Sequence, residues 1–200
     1  VGSEMCIRDS RCTADAIDTL HRWLSRDCSP QWILEGDIKG CFDHINHKWL
    51  LGNVRTDKTV LSKWLKCGVV FNKLLTPTVE GTPQGGIISP TLANATLDGM
   101  EKRLEERYAK RYINGKLYYP KVHLVRYADD FCVMADKRET LEEIQVLLTE
   151  FLEKRGLTLS QEKTKITRVK DGSDFLGFNV RKYNGTLLIK PSKKSQKRFT

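Results

Sequence analysis

The sequence contains no cysteine motif of the metal-binding kind and no apolar segment of membrane length. Its cysteines are scattered and form no C-x-x-C pair, so neither a zinc site nor a disulfide framework is predicted. Single thiols in apolar stretches are typical of small core residues in a reducing compartment. No apolar run approaches the roughly 18 residues that a membrane helix needs. We therefore expect a soluble intracellular protein with no membrane partner.

Both ends of the sequence suggest that it was cut from a longer reading frame. There is no methionine at position 1, and the chain stops at Thr200 in a basic run. Residues 1–10, VGSEMCIRDS, resemble the translation of a transposase adapter used in sequencing libraries. We predict that this segment is non-native and leave it out of the fold prediction.

The charge balance favours a polyanionic partner. Thirty-four Lys and Arg against 25 Asp and Glu leave a net charge of +9. Such an excess fits nucleic acid binding, although solubility alone would also explain it. From Arg181 onward the chain has seven Lys or Arg and no acid, so positive charge gathers at its C-terminal end.

Helices are predicted where apolar residues recur every three or four positions. Asp43 is expected to cap one of them, and Ser89-Pro90 combines a capping hydroxyl with a proline at the first helical position. The helix from Ser89 is expected to continue toward Tyr112. The other predicted helical segments are Thr13–Arg26, the first part of Val60–Phe71, and a helix from Leu141 that Gly156 ends.

Strands are predicted in short apolar runs between turn residues. An Asn-Gly turn at 184–185 marks one hairpin, and Tyr127-Ala-Asp-Asp separates two apolar runs at the tip of another. The predicted strands are Gln31–Asp37, His123–Arg126, Phe131–Ala135, Lys165–Val169, Phe175–Val180 and Thr186–Ile189. Because helices and strands mix without strict alternation, and without an internal repeat, we predict an α+β fold with a mainly antiparallel sheet.

Three carboxylates are candidates for a metal site. Asp129 and Asp130 sit together at the hairpin tip, where like charges cost stability unless a cation lies between them. Asp37 ends a buried strand, and acids at the ends of adjacent strands can meet at one rim of a sheet. Such oxygen ligands suit Mg²⁺. The alternative for Asp129 and Asp130 is an ordinary solvated turn; Asp43 competes with Asp37 but fits a helix cap better.

Five segments together resemble the polymerase motifs of reverse transcriptases, in the order of that family. Motif A is similar to Asp37–Ile45 (DIKGCFDHI) and motif B to Gly81–Pro90 (GTPQGGIISP). Motif C is similar to Tyr127–Asp130 (YADD), whose alanine resembles the group II intron enzymes. Motif D resembles Gly156–Lys165 (GLTLSQEKTK), and motif E resembles Phe175–Phe178 (FLGF). The motif YADD alone is a weak signal; five motifs in order are a strong one.

The resemblance implies the palm of a right-hand polymerase, with a mainly antiparallel sheet packed on helices, partial fingers and no thumb. Its implied boundaries are the end of the fingers at 11–35, the palm with all five motifs at 36–180, and a basic segment at 181–200 that leads toward the thumb. Because the resemblance implies partial fingers and no thumb, these 200 residues are not expected to be active alone.

The resemblance also implies two Mg²⁺ ions and the residues that hold them. Asp37 and Asp129 are the expected metal ligands, Asp130 assists from the same rim, and the Ile38 carbonyl is a further ligand. Two such ions activate an attacking hydroxyl and stabilise the leaving oxygen in phosphoryl transfer.

Substrate contacts follow from the resemblance in the same way. Phe42 matches the steric gate that rejects a 2′-hydroxyl, and without the motif it would be assigned to the core. Gln84 and Gly85 match the loop that contacts the incoming nucleotide and template. Gly177 matches the primer grip.

Two further positions complete the expected site. Lys163 matches the motif D lysine near the leaving pyrophosphate, where it acts as a charge or a proton donor; the alternative is a solvated lysine. Tyr127, with Arg126 beside it, flanks the motif C hairpin and is expected to support it.

The implied function is RNA-directed DNA synthesis by a group II intron-encoded protein, with a maturase role in splicing in the full-length protein. Expected partners are an RNA template, a DNA primer, deoxynucleoside triphosphates and the host intron RNA, in a ribonucleoprotein of the bacterial cytoplasm. Alternatives are a retron, diversity-generating or CRISPR-associated reverse transcriptase, or an RNA-binding splicing cofactor with an idle active site.

Overall fold

The computed structural model of the chain describes residues 12–71, 74–76, 80–82 and 86–197. The helices are α1 (Thr13–Leu24), α2 (Cys41–His44), α3 (His47–Asn53), α4 (Lys58–Lys66), α5 (Ser89–Leu97), α6 (Met100–Tyr108), α7 (Arg138–Glu153) and α8 (Lys193–Gln196). The strands are β1 (Trp32–Lys39), β2 (Val69–Phe71), β3 (Leu74–Thr76), β4 (Arg111–Ile113), β5 (Lys116–Tyr118), β6 (His123–Tyr127), β7 (Asp130–Ala135), β8 (Thr158–Leu159), β9 (Lys165–Arg168), β10 (Ser173–Phe175), β11 (Phe178–Tyr183) and β12 (Thr186–Pro191).

A five-stranded sheet with β1 at its centre organises the described residues. The strand order is β6-β7-β1-β8, and β9 pairs with the first half of β1 on the same side as β8. Every pairing in this sheet is antiparallel. The predicted α+β fold with a mainly antiparallel sheet is therefore confirmed.

The two faces of the sheet bury different cores because side chains alternate along each strand. Leu34 and Ile38 of β1 face the larger core, to which α2–α7 contribute buried residues. Ile33 faces a smaller core, in which residues of α1 and of the β10–β12 sheet are also buried. Between Glu35 and Asp37, Gly36 lies directly opposite Phe131, whose ring fills the space that a side chain would need.

Several predicted elements are confirmed close to their expected bounds. These are α1, α4 followed by β2, the β6–β7 hairpin, and α7 with its buried stripe of Leu141, Ile144, Leu148 and Leu152. Asn184 and Gly185 both have positive φ, which fits the type I′ turn that an Asn-Gly pair favours between β11 and β12.

Two predicted helix caps are wrong by a few residues. Asp43 lies inside the short α2, and the cap of the next helix, α3, is Asn46, whose side chain accepts a hydrogen bond from the Trp49 amide. Ser89 is the first residue of α5 rather than its cap, a position that Ile88 occupies. Ser89 is adjacent to the true cap and Asp43 lies three residues before it, at helix ends where sequence patterns are least sharp.

Two continuous elements of the prediction are broken in the structure. The helix expected from Ser89 toward Tyr112 is interrupted at Asp98, and Gly99 (φ 90°) begins a second helix, α6. Residues 111–118 form the β4–β5 hairpin around a second Asn-Gly turn, which the helical prediction missed. The strand expected over Phe175–Val180 is two strands, β10 and β11, which are joined by a tight turn.

Within the described residues, no helix is both long and apolar enough to cross a lipid bilayer.

Candidate active site

Three expected site residues form a row across one face of the sheet, where β6, β7 and β1 reach the same rim. Tyr127 pairs with Asp130, and Asp130 pairs in turn with Asp37. Residues directly opposite each other on antiparallel strands project to the same face, so these three side chains are neighbours. The convergence of strand-end carboxylates expected from the sequence is thus present for Asp37 and Asp130.

Asp129 occupies the two-residue turn between β6 and β7. Ala128 precedes it with a φ of 56°, a conformation that is unusual for a residue with a side chain. Arg126 supports this turn from the larger-core side: it is 5% exposed, and its Nη1 donates to the Ala128 carbonyl at 3.2 Å and to Asn94 Oδ1 at 3.4 Å. The turn that carries Asp129 is therefore tied to α5, the helix that begins at the end of the motif B segment.

The carboxylates of the rim influence one another electrostatically. The pKa of Asp130 is raised above its usual value, first by partial burial and then by the negative charges of Asp129 and Asp37. Lys163 acts in the opposite direction. Because Asp130 is exposed on one side, solvent screens part of the repulsion. The rim is a site where additional positive charge is stabilising.

Lys163 supplies part of that positive charge. Its Nζ lies 3.0 Å from Asp37 Oδ2 and 3.2 Å from Oδ1, although the two residues are 126 positions apart. The pKa of Lys163 is raised, chiefly by this hydrogen bond and by the charge of Asp37. The lysine side chain is 68% exposed, so it can leave Asp37 at little cost in buried contacts.

The oxygen ligands of the rim suit a divalent cation, although they do not form a complete coordination shell by themselves. Among the described residues, no three His, Cys, Asp or Glu side chains are close enough together to hold an ion by themselves. Mg²⁺ often binds through one or two carboxylates, with waters and substrate phosphates completing its shell. Mutually repelling carboxylates, with a lysine ammonium against one of them, suit that type of binding.

Asp37 and Lys163 lie where two cavities meet. One cavity, of about 640 Å³, is lined by Phe42, Asp129 and the segment around Ser160. The other, of about 700 Å³, is lined by Asp130, Gly177 and Ser195. Asp37 and Lys163 line both. The carboxylate rim therefore has open space on two sides, each side containing one of the expected substrate contacts.

Phe42 is held by the beginning of the motif B segment. The amide of Thr82 donates to the Phe42 carbonyl at 2.6 Å, and the imidazole Nε2 of His47 lies 2.6 Å from the Gly81 carbonyl. Gly81 has a φ of 75° and packs against the backbone of Phe42 and Asp43 so closely that no side chain would fit. Phe42 is half-buried against the larger core, yet it lines the cavity beside Asp37.

The remaining expected contacts differ in how they are placed. Gln84 and Gly85 lie outside the described residues, so their assignment stays a prediction. The side chain of Ile38 is buried in the larger core, which leaves its backbone as the expected ligand. Gly177 has a φ of 82° in the β10–β11 turn, and its carbonyl accepts hydrogen bonds from the Ser192 amide and Ser195 Oγ.

Glu35 is a site neighbour that the sequence analysis missed. It lies two residues before Asp37 on the same face of β1, and its Oε1 accepts hydrogen bonds from Ser173 Oγ and from the Asp174 amide at 3.0 Å. Burial raises its pKa. Glu35 thereby joins the strand of Asp37 to the three-stranded sheet that carries Gly177. Its only sequence signal is an acid at an inward-facing position of an apolar strand.

Comparison with known proteins places the chain in a family. Residues 3–180 match the family described as reverse transcriptase (RNA-dependent DNA polymerase). The chain belongs to the reverse transcriptase family. The resemblance drawn from five motifs is confirmed at the level of the family.

Relatives of this reverse transcriptase include an intron-encoded protein. Protein YkfC of Escherichia coli (strain K12) is 33% identical over 207 residues, which cover 86% of this chain and 53% of that protein. The group II intron-encoded protein LtrA of Lactococcus lactis subsp. cremoris is 31% identical over 250 residues, covering 96% of this chain and 41% of that protein. The chain thus spans about half or less of these relatives.

A retron enzyme and solved telomerase structures are also similar. Retron Mx65 reverse transcriptase of Myxococcus xanthus is 33% identical over 101 residues, covering 50% of this chain and 21% of that protein. Apo telomerase from Candida Tropicalis, truncated from its C-terminal domain, superimposes with a TM-score of 0.63 at 20% identity, covering 90% of this chain and 39% of that chain. At this identity the likeness concerns the fold, and it supports the reverse transcriptase palm.

Proposed function

We propose that the protein containing this chain synthesises DNA on an RNA template. A primer 3′-hydroxyl attacks the α-phosphate of a bound deoxynucleoside triphosphate, the new phosphodiester bond forms, and pyrophosphate leaves. The observation that carries this proposal is the position of Asp37, Asp129 and Asp130 between two cavities. One cavity has room for a nucleotide beside Phe42, and the other has room for a primer end beside Gly177.

Asp37, Asp129 and Asp130, with the Ile38 carbonyl, are the proposed ligands of two Mg²⁺ ions. When bound, these ions would lower the pKa of the primer hydroxyl and neutralise charge on the phosphates. Lys163 must release Asp37 when a cation takes its place, and its ammonium is then free to meet the leaving pyrophosphate. Arg126 and Tyr127 position the turn and the rim on which this happens.

Substrate selection is proposed to depend on three other contacts. Phe42 would collide with a 2′-hydroxyl and so favour deoxynucleotides. Gln84 and Gly85 would contact the nucleotide and the template, and Gly177 would hold the primer end. The boundaries of 11–35 for the fingers end, 36–180 for the palm and 181–200 for the segment toward the thumb belong to the same proposal.

The intron lineage is the favoured source of the enzyme. The group II intron-encoded relative aligns with 96% of this chain, whereas the retron relative aligns with 50%. We therefore propose host intron RNA as a partner in a cytoplasmic ribonucleoprotein, and a maturase role in splicing for the full-length protein. A diversity-generating or CRISPR-associated enzyme would share the same rim chemistry.

Primer extension with deoxynucleotides and with ribonucleotides tests this proposal. We expect the encoded protein to extend a DNA primer on RNA with deoxynucleotides only, Phe42→Ala to admit ribonucleotides, and the double variant Asp129→Ala, Asp130→Ala to extend with neither. A splicing cofactor with an idle site would bind RNA and support splicing equally with and without the double substitution, and it would make no DNA.

A further inference from the structure

The β4–β5 hairpin projects from the fold without support from another sheet. Its strands pair only with each other among the described residues. Asn114 (φ 50°) and Gly115 (φ 72°) form its turn. Every residue from Arg111 to Leu117 is exposed, and Tyr118 is half-buried. A two-stranded hairpin of this kind is marginally stable in water by itself.

The hairpin presents apolar and aromatic groups to solvent. Tyr112 is 75% exposed and lies directly opposite Leu117, which is 50% exposed, so the two share one face. Ile113, on the other face, is 44% exposed. Large side chains clustered at an exposed tip indicate a surface that meets a partner.

The charges around the hairpin indicate what kind of partner fits. Residues 107–121 contain five Lys or Arg and no Asp or Glu. Lys121 pairs with Asp136 at 3.3 Å, whereas Lys110, Arg111 and Lys116 have no ion pair within the described part of the chain. Arg111 stacks over the Tyr118 ring, with its Cζ 5.2 Å from the ring centroid. Cations without carboxylate partners, interleaved with tyrosine rings, suit nucleic acid, in which phosphates meet the cations and bases stack on the rings.

The hairpin lies away from the carboxylate rim. The chain that leaves the hairpin enters the sheet at His123, the first residue of β6. The rim is at Tyr127, the last residue of that strand. Four residue steps along a strand separate these two residues by about 13 Å. Nucleic acid held there is distinct from the primer end that the rim would contact.

We propose that the β4–β5 hairpin is a second RNA-binding surface, which takes a looped or single-stranded RNA segment outside the template–primer duplex. A base stacks on Tyr112, and phosphates contact Lys110, Arg111 and Lys116. The choice of RNA as the nucleic acid rests on the proposed function; the surface itself rests on exposure and charge.

Binding of a labelled RNA stem-loop, followed by fluorescence anisotropy, tests this surface. We expect the double variant Tyr112→Ala, Lys116→Gln to weaken binding by about tenfold or more and to reduce the salt dependence by about one phosphate contact. The matched control is Trp64→Ala, Lys63→Gln on α4, which also removes an exposed aromatic ring and one charge. The control should bind within about twofold of the wild type.

Other results would overturn the proposal. Equal binding by the hairpin variant and the control would show that the hairpin takes no RNA. A change in oligomeric state of the hairpin variant, measured by light scattering, with RNA binding intact would identify a protein interface instead. Extension of a short template–primer should be unaffected by either variant. Failure of the wild type to extend, with the binding difference preserved, would count against the proposed polymerase but not against this surface.

Discussion

At the scale of single residues, the negative charges of the ionised rim destabilise the fold when no metal ion is bound. The pKa of Asp130 is raised, so its neutral form stabilises the folded state; that contribution is complete below the ordinary aspartate pKa and is lost as pH rises through the raised value. At neutral pH the charge is therefore unfavourable, and a bound cation would offset it.

Replacing Asp130 by asparagine should separate these two effects. Without added metal, we expect Asp130→Asn to raise the melting temperature at pH 7 by about 1–2 °C, the size of a screened surface effect. At pH 4 the increase in melting temperature should be smaller. Mg²⁺ should raise the melting temperature of the wild type more than that of the variant. Calorimetry measures both. Asp171→Asn, at an exposed turn, is the control; equal behaviour of the two variants would contradict the rim electrostatics.

If a cation binds Asp37 as proposed, Lys163 competes with it, and this predicts opposite effects of one substitution. Lys163→Met should tighten Mg²⁺ binding in the absence of nucleotide by about two- to fivefold, because a neighbouring positive charge is removed. The same variant should slow nucleotide addition by on the order of 10²-fold.

Titration calorimetry and single-turnover extension measure these two quantities. Lys163→Arg keeps the charge and separates the two proposed roles: recovery of rate indicates electrostatic help, and no recovery indicates proton donation. Unchanged Mg²⁺ affinity in Lys163→Met would contradict the competition.

At the scale of elements, Glu35 connects β1, the strand of Asp37, to the β10–β12 sheet. Removing it leaves Ser173 and the Asp174 amide without their acceptor, so Glu35→Ala should lower the free energy of unfolding by about 1–3 kcal/mol. Glu35→Gln keeps an acceptor oxygen and should be nearly neutral.

Urea unfolding measures the stability of the two Glu35 variants, and the KM for template–primer measures alignment of the two sheets. We expect Glu35→Ala, and not Glu35→Gln, to raise that KM. Equal stability and equal KM in the two variants would show that the contact with the β10–β12 sheet does not position the primer side.

Helices and strands with a regular spacing of apolar residues could be predicted from sequence. Elements whose ends are set by one interruption of that spacing could not. The stripe of α7 and the alternation of β6 and β7 each fit one pattern. By contrast, Leu97, Met100 and Leu104 continue a helical stripe across Asp98 and Gly99, so the break between α5 and α6 has no apolar signature. The turn at Leu176–Gly177 likewise falls inside an apolar run.

The candidate site could be predicted in part because its strongest residues lie in short motifs. The pairing of Asp37 with Asp130 follows from two strand ends. The contact of Lys163 with Asp37 and that of Glu35 with Ser173 join positions 126 and 138 residues apart, and only the folded chain shows them. The roles of these residues stay predictions until variants are measured.

At the scale of the whole molecule, some of the excess basic residues make structural hydrogen bonds and others are exposed at the surface. Lys182 donates to the Arg26 carbonyl and to Ser29 Oγ, both at 2.9 Å, and Arg181 donates to the Lys170 carbonyl at 2.8 Å. These two basic residues therefore link β11 to the segment after α1 and to the turn after β9. Other basic residues, including those of the β4–β5 hairpin, are exposed and are the ones available to the proposed RNA partner.

The rim formed by Asp37 and its neighbours is proposed to catalyse RNA-templated DNA synthesis. The most direct measurement is extension of a DNA primer on a heteropolymeric RNA template with Mg²⁺, read by the sequence of the product. We predict DNA complementary to the template from the encoded protein, a loss on the order of a thousandfold in Asp37→Asn, and no loss in Asp171→Asn. A folded, RNA-binding protein that makes no complementary DNA, or an Asp37→Asn variant that makes it at the wild-type rate, would contradict the account.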